Sequence, residues 1–571
     1  MSYTQMTRRG FVTTAAAAAT AGIAAETVSI ASAEEARPEV AASWVGEEPS
    51  IGDDDCSETI NTEILVIGAG CSGYFAAVTA AEEGARVELI DCSETGYSVR
   101  TSALGAVNSK MQLDQGVCID KMEIVNDIVH YCNNNCDQRL WNMWANESGE
   151  TLDWYCDHAE KPGTFGVYQE WNMPEGLRYK MWPTGHGTFS LDGDWGAAVG
   201  NITAYFNDYL NSFDGCEYRG YTKLQKLIVE NGAVVGAYVS TGENQDGYAR
   251  INASKGVVVA TGGYVLNEDM MRALQPETVS IMSGIFTMSQ AHGDGIKACI
   301  WAGAHIEDTH TSLIFDRGNI TPDVEVGDPY NTNGSFIAFS SQPWLKVNVD
   351  GERFMNESCP YDYVAHAAIK FRNHAWYPVW DDKFDENVAL FHTIGCSTQI
   401  TREGGDEGSH IDPTMDPMER LLASEANVRA NIENRVENGL VIKADTLEEL
   451  AEGLGIDVDG FVATVARYNE LCANNKDVDF GKEAWRMTPV ATPPFYGMKM
   501  GGLALCTYDG ICVNTNLQAL DSEGAPIPGL YVIGNDSGNM YDTTYPNFAA
   551  GLNAGRCATQ GRHVGKYLAA L

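Results

Sequence analysis

Apolar residues along this chain first cluster in short unbroken runs, then in a longer helical pattern, then in a short run again. Glu63 to Ile67 is β-branched and apolar, the pattern of a buried parallel strand. Tyr74 to Glu83 is Ala-rich, reads as a helix and stops at Gly84. Arg86 to Ile90 is a second strand that ends on Asp91. The pattern therefore predicts one βαβ unit between Thr62 and Asp91.

The residues at its first turn give that unit a chemistry. Gly68, Gly70 and Gly73, with Cys71 and Ser72 between them, form G-x-G-x-x-G where the strand becomes the helix. The first glycine permits a tight turn, the second lets backbone approach a pyrophosphate, and the third lets helix and strand pack closely. Asp91, followed by Cys92, stands where an acid can bond ribose hydroxyls. The spacing points to a dinucleotide site.

The same theme returns twice. Gly256 to Ala260 reads as a buried strand running into Thr261, Gly262 and Gly263. Leu530 to Ile533 reads as another, ending in Gly534, Asn535 and Asp536. Three such ends, far apart in sequence, predict one sheet whose carboxyl edge holds one large cofactor. Between them, Ser98, Ser102, Ala103, Gly105 and Ala106 are small enough for their loop to lie against a flat ring system. Lys223 to Ser240 reads as a hairpin around Asn231-Gly232. From about Phe315 to Met498 the composition shifts, and Lys443 to Asn469 reads as a helical hairpin capped by Asp445 or Thr446.

Bulk properties narrow the function. With 571 residues there is chain enough for two or three domains. The net charge of -41, from 37 basic and 78 acidic residues, excludes nucleic acid as a partner, because phosphate contacts need clustered Lys and Arg. Acidity of this kind reads as a solvated surface, or as steering of a basic electron-transfer partner. The 15 cysteines include no C-x-x-C and no C-x-x-C-H, so no c-type haem attaches here. Cys132 and Cys136 lack a second ligand pair and the histidines lack ligand spacing, so no metal site is indicated.

Residues 1–33 are set apart from the fold. Thr7-Arg8-Arg9-Gly10-Phe11-Val12 resembles a twin-arginine export signal, Ala15 to Ala25 is too short and mild for stable membrane insertion, and Ala31-Ser32-Ala33 suits cleavage. These features predict export in the folded state, to a periplasmic or cell-surface location. Residues 34–56 are acidic and aperiodic, and read as a linker.

The motifs GAGCSG, VVVATGG, VNVDGERFMNE (347–357), KADTLEELA and IPGLYVIGN resemble those of the fumarate reductase/succinate dehydrogenase flavoprotein superfamily, from Thr62 to the C-terminus. The resemblance implies an α/β fold with a Rossmann-like, glutathione-reductase-type FAD-binding domain in two parts (57–314 and 500–571). It also implies an inserted α+β capping domain (315–499). The covalent-flavin attachment signature is not seen, so the resemblance implies non-covalent FAD.

At the substrate positions the chain departs from fumarate reductases. Where they carry cationic or basic residues it has Tyr361, Phe315, Cys506 and Phe548. A dicarboxylate there would leave buried, unpaired charge. The site motifs resemble instead those of the 3-ketosteroid dehydrogenases: Glu357-Ser358-Cys359-Pro360-Tyr361, and Gly534-Asn535-Asp536-Ser537 followed by Thr544-Tyr545-Pro546. That resemblance implies proton transfer at carbon by Tyr361, and a ketone oxygen held by Tyr545 and the backbone N–H of Ala549. Asn547-Phe548-Ala549 stands where that family has Gly-Pro-Gly, and its third tyrosine has no counterpart placed here. Phe315, Cys506 and Phe548 are expected to line the pocket, and Arg353 and Glu357 to form a structural ion pair.

A tyrosine O–H polarises a neutral ketone without bringing in charge, and with an ordinary pKa of ~10 it serves as a neutral acid. The expected function is FAD-dependent reduction of an activated C=C bond in an apolar, ring-containing enone such as a steroid, flavonoid or phenolic. The electrons would come from a separate cytochrome or quinol-linked protein. The alternatives are a ketosteroid-type dehydrogenase working in the oxidising direction, and a reductase of a small unsaturated acid anchored by Arg317 or Lys180. A pure electron shuttle is disfavoured, since it has no use for a closed pocket.

Overall fold

The computed structural model describes residues 44–96, 104–169, 178–191, 195–287, 290–388, 391, 428–543 and 545–571. The elements that position the site are β1 (Glu58–Ile67), α1 (Cys71–Glu82), β2 (Val87–Ile90), β3 (Gly247–Val259), β4 (Ser312–Ile320), α2 (Tyr361–Ala367), β5 (Lys499–Thr507), β6 (Pro526–Val532) and α3 (Leu552–Ala569). The chain is mixed α/β, as expected. β1 and β3 are longer than their apolar cores predict, because they continue into half-exposed ladders at Glu58–Thr62 and Gly247–Ala253.

An eight-stranded sheet carries the βαβ unit. Its main path runs Gln518–Leu520, β6, β3, β1, β2, Glu217–Arg219, and the hairpin Thr222–Glu230/Ala233–Thr241 joins through β3. The turn of that hairpin holds Asn231 and Gly232 at φ 53° and 79°, the left-handed pair a two-residue turn requires. β2, β1, β3 and β6 are parallel, and their ends coincide: Ile67 pairs with Ile90 and Val259, and Val259 with Val532. The three glycine-ended segments thus share one carboxyl edge. Such strands are buried on both faces, which is why they read as continuous apolar runs.

Two four-stranded sheets accompany this sheet, besides a small three-stranded one. One is Met282–Ile285, β5, β4, Ser335–Phe336; the other is Leu345–Val347, Tyr377–Asp381, Phe495–Gly497, Ile442–Ala444. The predicted helical hairpin is Leu447–Leu454 and Val458–Ala473, capped by Thr446 and Asp457 and turned at Gly455 (φ 71°). It builds a separate small core from Leu450, Leu454, Phe461 and Val465 against Tyr377 and Val379.

The boundaries expected at 314/315 and 499/500 fall inside β4 and β5, which pair antiparallel along most of their length. The acidic stretch before β1 is not a bare linker over its described part. Trp44 is buried, and Asp53 receives hydrogen bonds from Arg250 at 2.8 Å and from Tyr238 at 2.8 Å. The export signal of residues 1–33 lies outside the described residues.

Candidate active site

The G-x-G-x-x-G turn shows why each glycine is there. Gly68 has φ 105°, and a Cβ on it would strike the Ala260 carbonyl; a Cβ on Gly73 would strike the Gly68 carbonyl. Gly70 is different: a Cβ there would meet nothing within 4 Å. It is the N-cap of α1 and offers no side-chain cap, so the first-turn amides face open space at the positive end of the helix dipole. That is an anion cradle of the kind a pyrophosphate fills.

A cleft of about 630 Å³, its open mouth included, runs from this turn. Gly68, Gly70, Asp91, Cys92, Ala260, Thr261 and Gly262 all line it. Thr222, Lys223, Gln290 and Asp294 line it too, and none of them stands in a motif that marks a cofactor contact. Asp91 accepts from Ala69 N at 2.7 Å and from Ser93 Oγ at 2.6 Å, so its carboxylate also braces the turn. These residues fit the adenosine and pyrophosphate end of a dinucleotide.

Several predicted contacts have other partners. Asp536 accepts from the amides of Thr261, Gly262 (3.2 Å) and Gly263 (2.9 Å) and from Thr261 Oγ1 (2.9 Å). It clamps two loops together instead of presenting a carboxylate to a ligand, and burial pushes its carboxyl up to about 6. Gly534 (φ 65°) packs against Ser72 of α1. Asn535 Oδ1 accepts from Asn553 Nδ2 at 2.9 Å. Gly105 N donates to Gly551 O at 2.8 Å, just before α3, and Ala106 N donates to Thr184 O at 2.9 Å. Ser98, Ser102 and Ala103 lie outside the described residues.

The predicted substrate residues converge. Tyr361 begins α2, buried, with the Phe315 ring edge-on at 4.9 Å. Asp362, next to it, accepts from Tyr545 N at 3.3 Å, linking α2 to the turn that carries the second tyrosine. Tyr545 Oη accepts from Asn553 N at 2.8 Å, and Asn553 Nδ2 lies 3.4 Å from Cys506 Sγ. Phe548 packs edge-on against Tyr131 at 5.4 Å, and Tyr131 against Tyr363 at 6.0 Å. The N–H of Ala549 differs from the expectation. It donates to Pro546 O at 3.2 Å, within its own turn.

Sequence reasoning missed Asp362. It is fully buried, and His366 Nδ1 lies 3.5 Å from Oδ2. Burial pushes its carboxyl up to about 6, against the pull of His366. The Asp-x-x-x-His spacing on one helix face was the available signal. Of the two alternative anchors, Lys180 is exposed and bound to Glu123 (2.6 Å) and Asp127 (2.9 Å), whereas Arg317 is buried beside Tyr361. Arg353 and Glu357 do form a buried ion pair at 2.7 Å, joined by Asp477 (2.8 Å) and Lys482 (3.4 Å).

Comparison with known proteins identifies the family. Residues 63–552 match the FAD binding domain family. The chain is 28% identical to vinyl phenol reductase of Lactiplantibacillus plantarum, over 88% of this chain and 97% of that protein. It is 25% identical to a probable fumarate reductase of Shewanella frigidimarina, over 85% and 71%. The fold resembles that of a 3-ketosteroid-Δ4-(5α)-dehydrogenase from Rhodococcus jostii, with TM-score 0.64 and 18% identity, covering 91% of this chain and 99% of that one. The chain thus belongs to the FAD binding domain family, within the fumarate reductase/succinate dehydrogenase flavoprotein superfamily, and is an FAD-dependent oxidoreductase.

Proposed function

We propose that this enzyme reduces an activated C=C bond in an apolar, ring-containing substrate, an enone or a phenolic alkene, with Tyr361 as proton donor. The observation that carries the reading is the setting of Tyr361. It is a buried phenol whose ring packs against Phe315, with the Arg317 guanidinium 5.4 Å from its centroid. Bound FAD supplies the hydride for the carbon β to the activating group. The chain's residues do the rest. Phe315 and Phe548 exclude water and favour an apolar ring. Tyr361 gives its proton to the α-carbon, and the Arg317 cation stabilises the phenolate left behind. Tyr545 holds the turn that faces Tyr361 across Asp362. The named activities of the vinyl phenol and fumarate reductases support chemistry at a C=C bond.

The same phenolate–guanidinium pair would serve a dehydrogenase taking a proton from a cyclic ketone, so direction is read by experiment. The flavoprotein is reduced anaerobically with dithionite, and flavin absorbance is followed after adding cyclic enones, 4-vinylphenol or fumarate. Reoxidation by enones or 4-vinylphenol, reduced about 10²–10⁴-fold in Tyr361→Phe, is expected. Failure of all of them to reoxidise the flavin overturns the proposal. Bleaching of the oxidised flavin by a saturated ketone would assign the oxidising direction. The arginine pair Arg8-Arg9 supports export to an extracytoplasmic site, where a separate redox protein would supply electrons. Cell fractionation tests that placement.

A further inference from the structure

Beside Tyr361 lies a buried cation with no direct ion pair among the described residues. Arg317 is 1% exposed. Its Nε donates to Ser341 Oγ at 2.9 Å, while Nη2 has no hydrogen-bond partner, and no ion pair forms to it among the described residues. The neighbouring acid, Asp316, turns its carboxylate to the hydroxyl of that same Ser341, and the buried Lys346 and Arg317 both act on it from a distance, Lys346 the more strongly. An unpaired guanidinium in a buried site is expensive to keep unless an anion arrives to meet it.

The surroundings describe what arrives. The guanidinium carbon sits 4.9 Å from the Phe315 ring, 5.5 Å from Phe336 and 5.4 Å from Tyr361. These rings form a column to the surface. Phe336 stacks on Phe286 at 4.7 Å with a 25° tilt, and Phe286 is 41% exposed. One free donor edge set among aromatic faces suits one oxyanion on an aromatic body. It does not suit two carboxylates, since Phe315, Tyr361, Cys506 and Phe548 supply no second cation.

We infer that Arg317 is a substrate-binding residue that recognises a single oxyanion, carboxylate or phenolate, on an aromatic substrate at the proposed C=C-reducing site. The inference narrows the substrate class and rests on the reading of Tyr361 as the reacting residue. Its test is nonetheless independent of turnover.

Oxidised holoenzyme is titrated with cinnamate, with 4-nitrophenolate above its pKa and with methyl cinnamate, and binding is read from the perturbed flavin spectrum. At least one of the two anions is expected to bind about tenfold or more tightly than the neutral ester, the scale of a charge-assisted hydrogen bond. Which anion does so names the group. The preference should vanish in Arg317→Gln and persist in weakened form in Arg317→Lys. Equal affinity for the ester and both anions in the wild-type protein overturns the inference, as does an anion preference that survives Arg317→Gln. If Arg317→Gln does not fold, the wild-type ratio and Arg317→Lys decide. Failure of every alkene to reoxidise the reduced wild-type flavin, with the anion preference intact, would overturn the proposed reaction and leave the anion site standing.

Discussion

The hydroxyl of Tyr545 accepts the backbone N–H of Asn553 at 2.8 Å, so this tyrosine closes the first turn of α3, which has only glycine at its N-cap. A residue singled out for holding a substrate oxygen therefore also performs a helix-capping role. Tyr545→Phe should lower stability by about 1–2 kcal/mol through the lost cap, measured by chemical denaturation. A fall in kcat/KM at a temperature where the variant is fully folded would separate substrate contact from capping.

Two glycines two residues apart should fail in different ways. Gly68→Ala puts a Cβ against the Ala260 carbonyl at φ 105°, so the variant should be strongly destabilised. At Gly70 the backbone is extended (φ -99°) and the Cβ position is empty, so Gly70→Val should fold. It should nonetheless purify with little FAD, because its side chain occupies the pyrophosphate's place. Flavin absorbance per protein and the melting temperature of each variant check this.

Glu357 lies buried between Arg353 and Lys482. Burial alone would raise its carboxyl, but the two cations more than offset this and hold it below the usual range. Glu357→Gln leaves buried positive charge uncompensated and should cost about 3–5 kcal/mol. Because the folded pKa is depressed, the carboxylate's contribution is present above ~4.3, the ordinary glutamate value, and is lost as pH falls through the folded value. The gap between wild type and variant should narrow in acid unfolding experiments.

Glu307 has the opposite sign. Its two oxygens accept from Gly510 N (3.1 Å) and Asn539 N (2.9 Å), and burial, reinforced by Asp509, pushes its carboxyl up to about 8. The folded chain keeps a proton that the unfolded chain releases near 4.3, so stability falls as pH rises between ~4.3 and about 8. Glu307→Gln should remove that slope. Its melting temperature relative to wild type should rise between pH 6 and pH 9.

The sheet edge was legible in the sequence because its determinants are local. Gly68, Gly262 and Gly534 are left-handed turn positions directly after apolar runs, and such positions advertise themselves. What was not legible depends on partners far along the chain. Asp536 looks like a ligand-facing acid until Thr261 to Gly263 arrive to occupy it. The Ala549 amide looks available until its turn closes on Pro546. Arg317 stands in the sequence as one of two candidate anchors beside Lys180; only the crossing of β4 with α2, which sets it over Tyr361, separates the two. The stretch from Trp44 to Asp55 reads as a linker because Arg250, which holds it, belongs to β3.

The clamp on Thr261 to Gly263 also dictates timing. Its carboxylate is added to the growing chain 275 residues after the amides it holds, and β6 forms only when its own late residues reach β3. A ribosome-bound chain that already contains the whole G-x-G-x-x-G turn still has one wall of the cofactor site unfixed. Firm flavin retention is thus a property of the finished polypeptide. A prematurely terminated chain would remain colourless, and yellow colour would report completed synthesis.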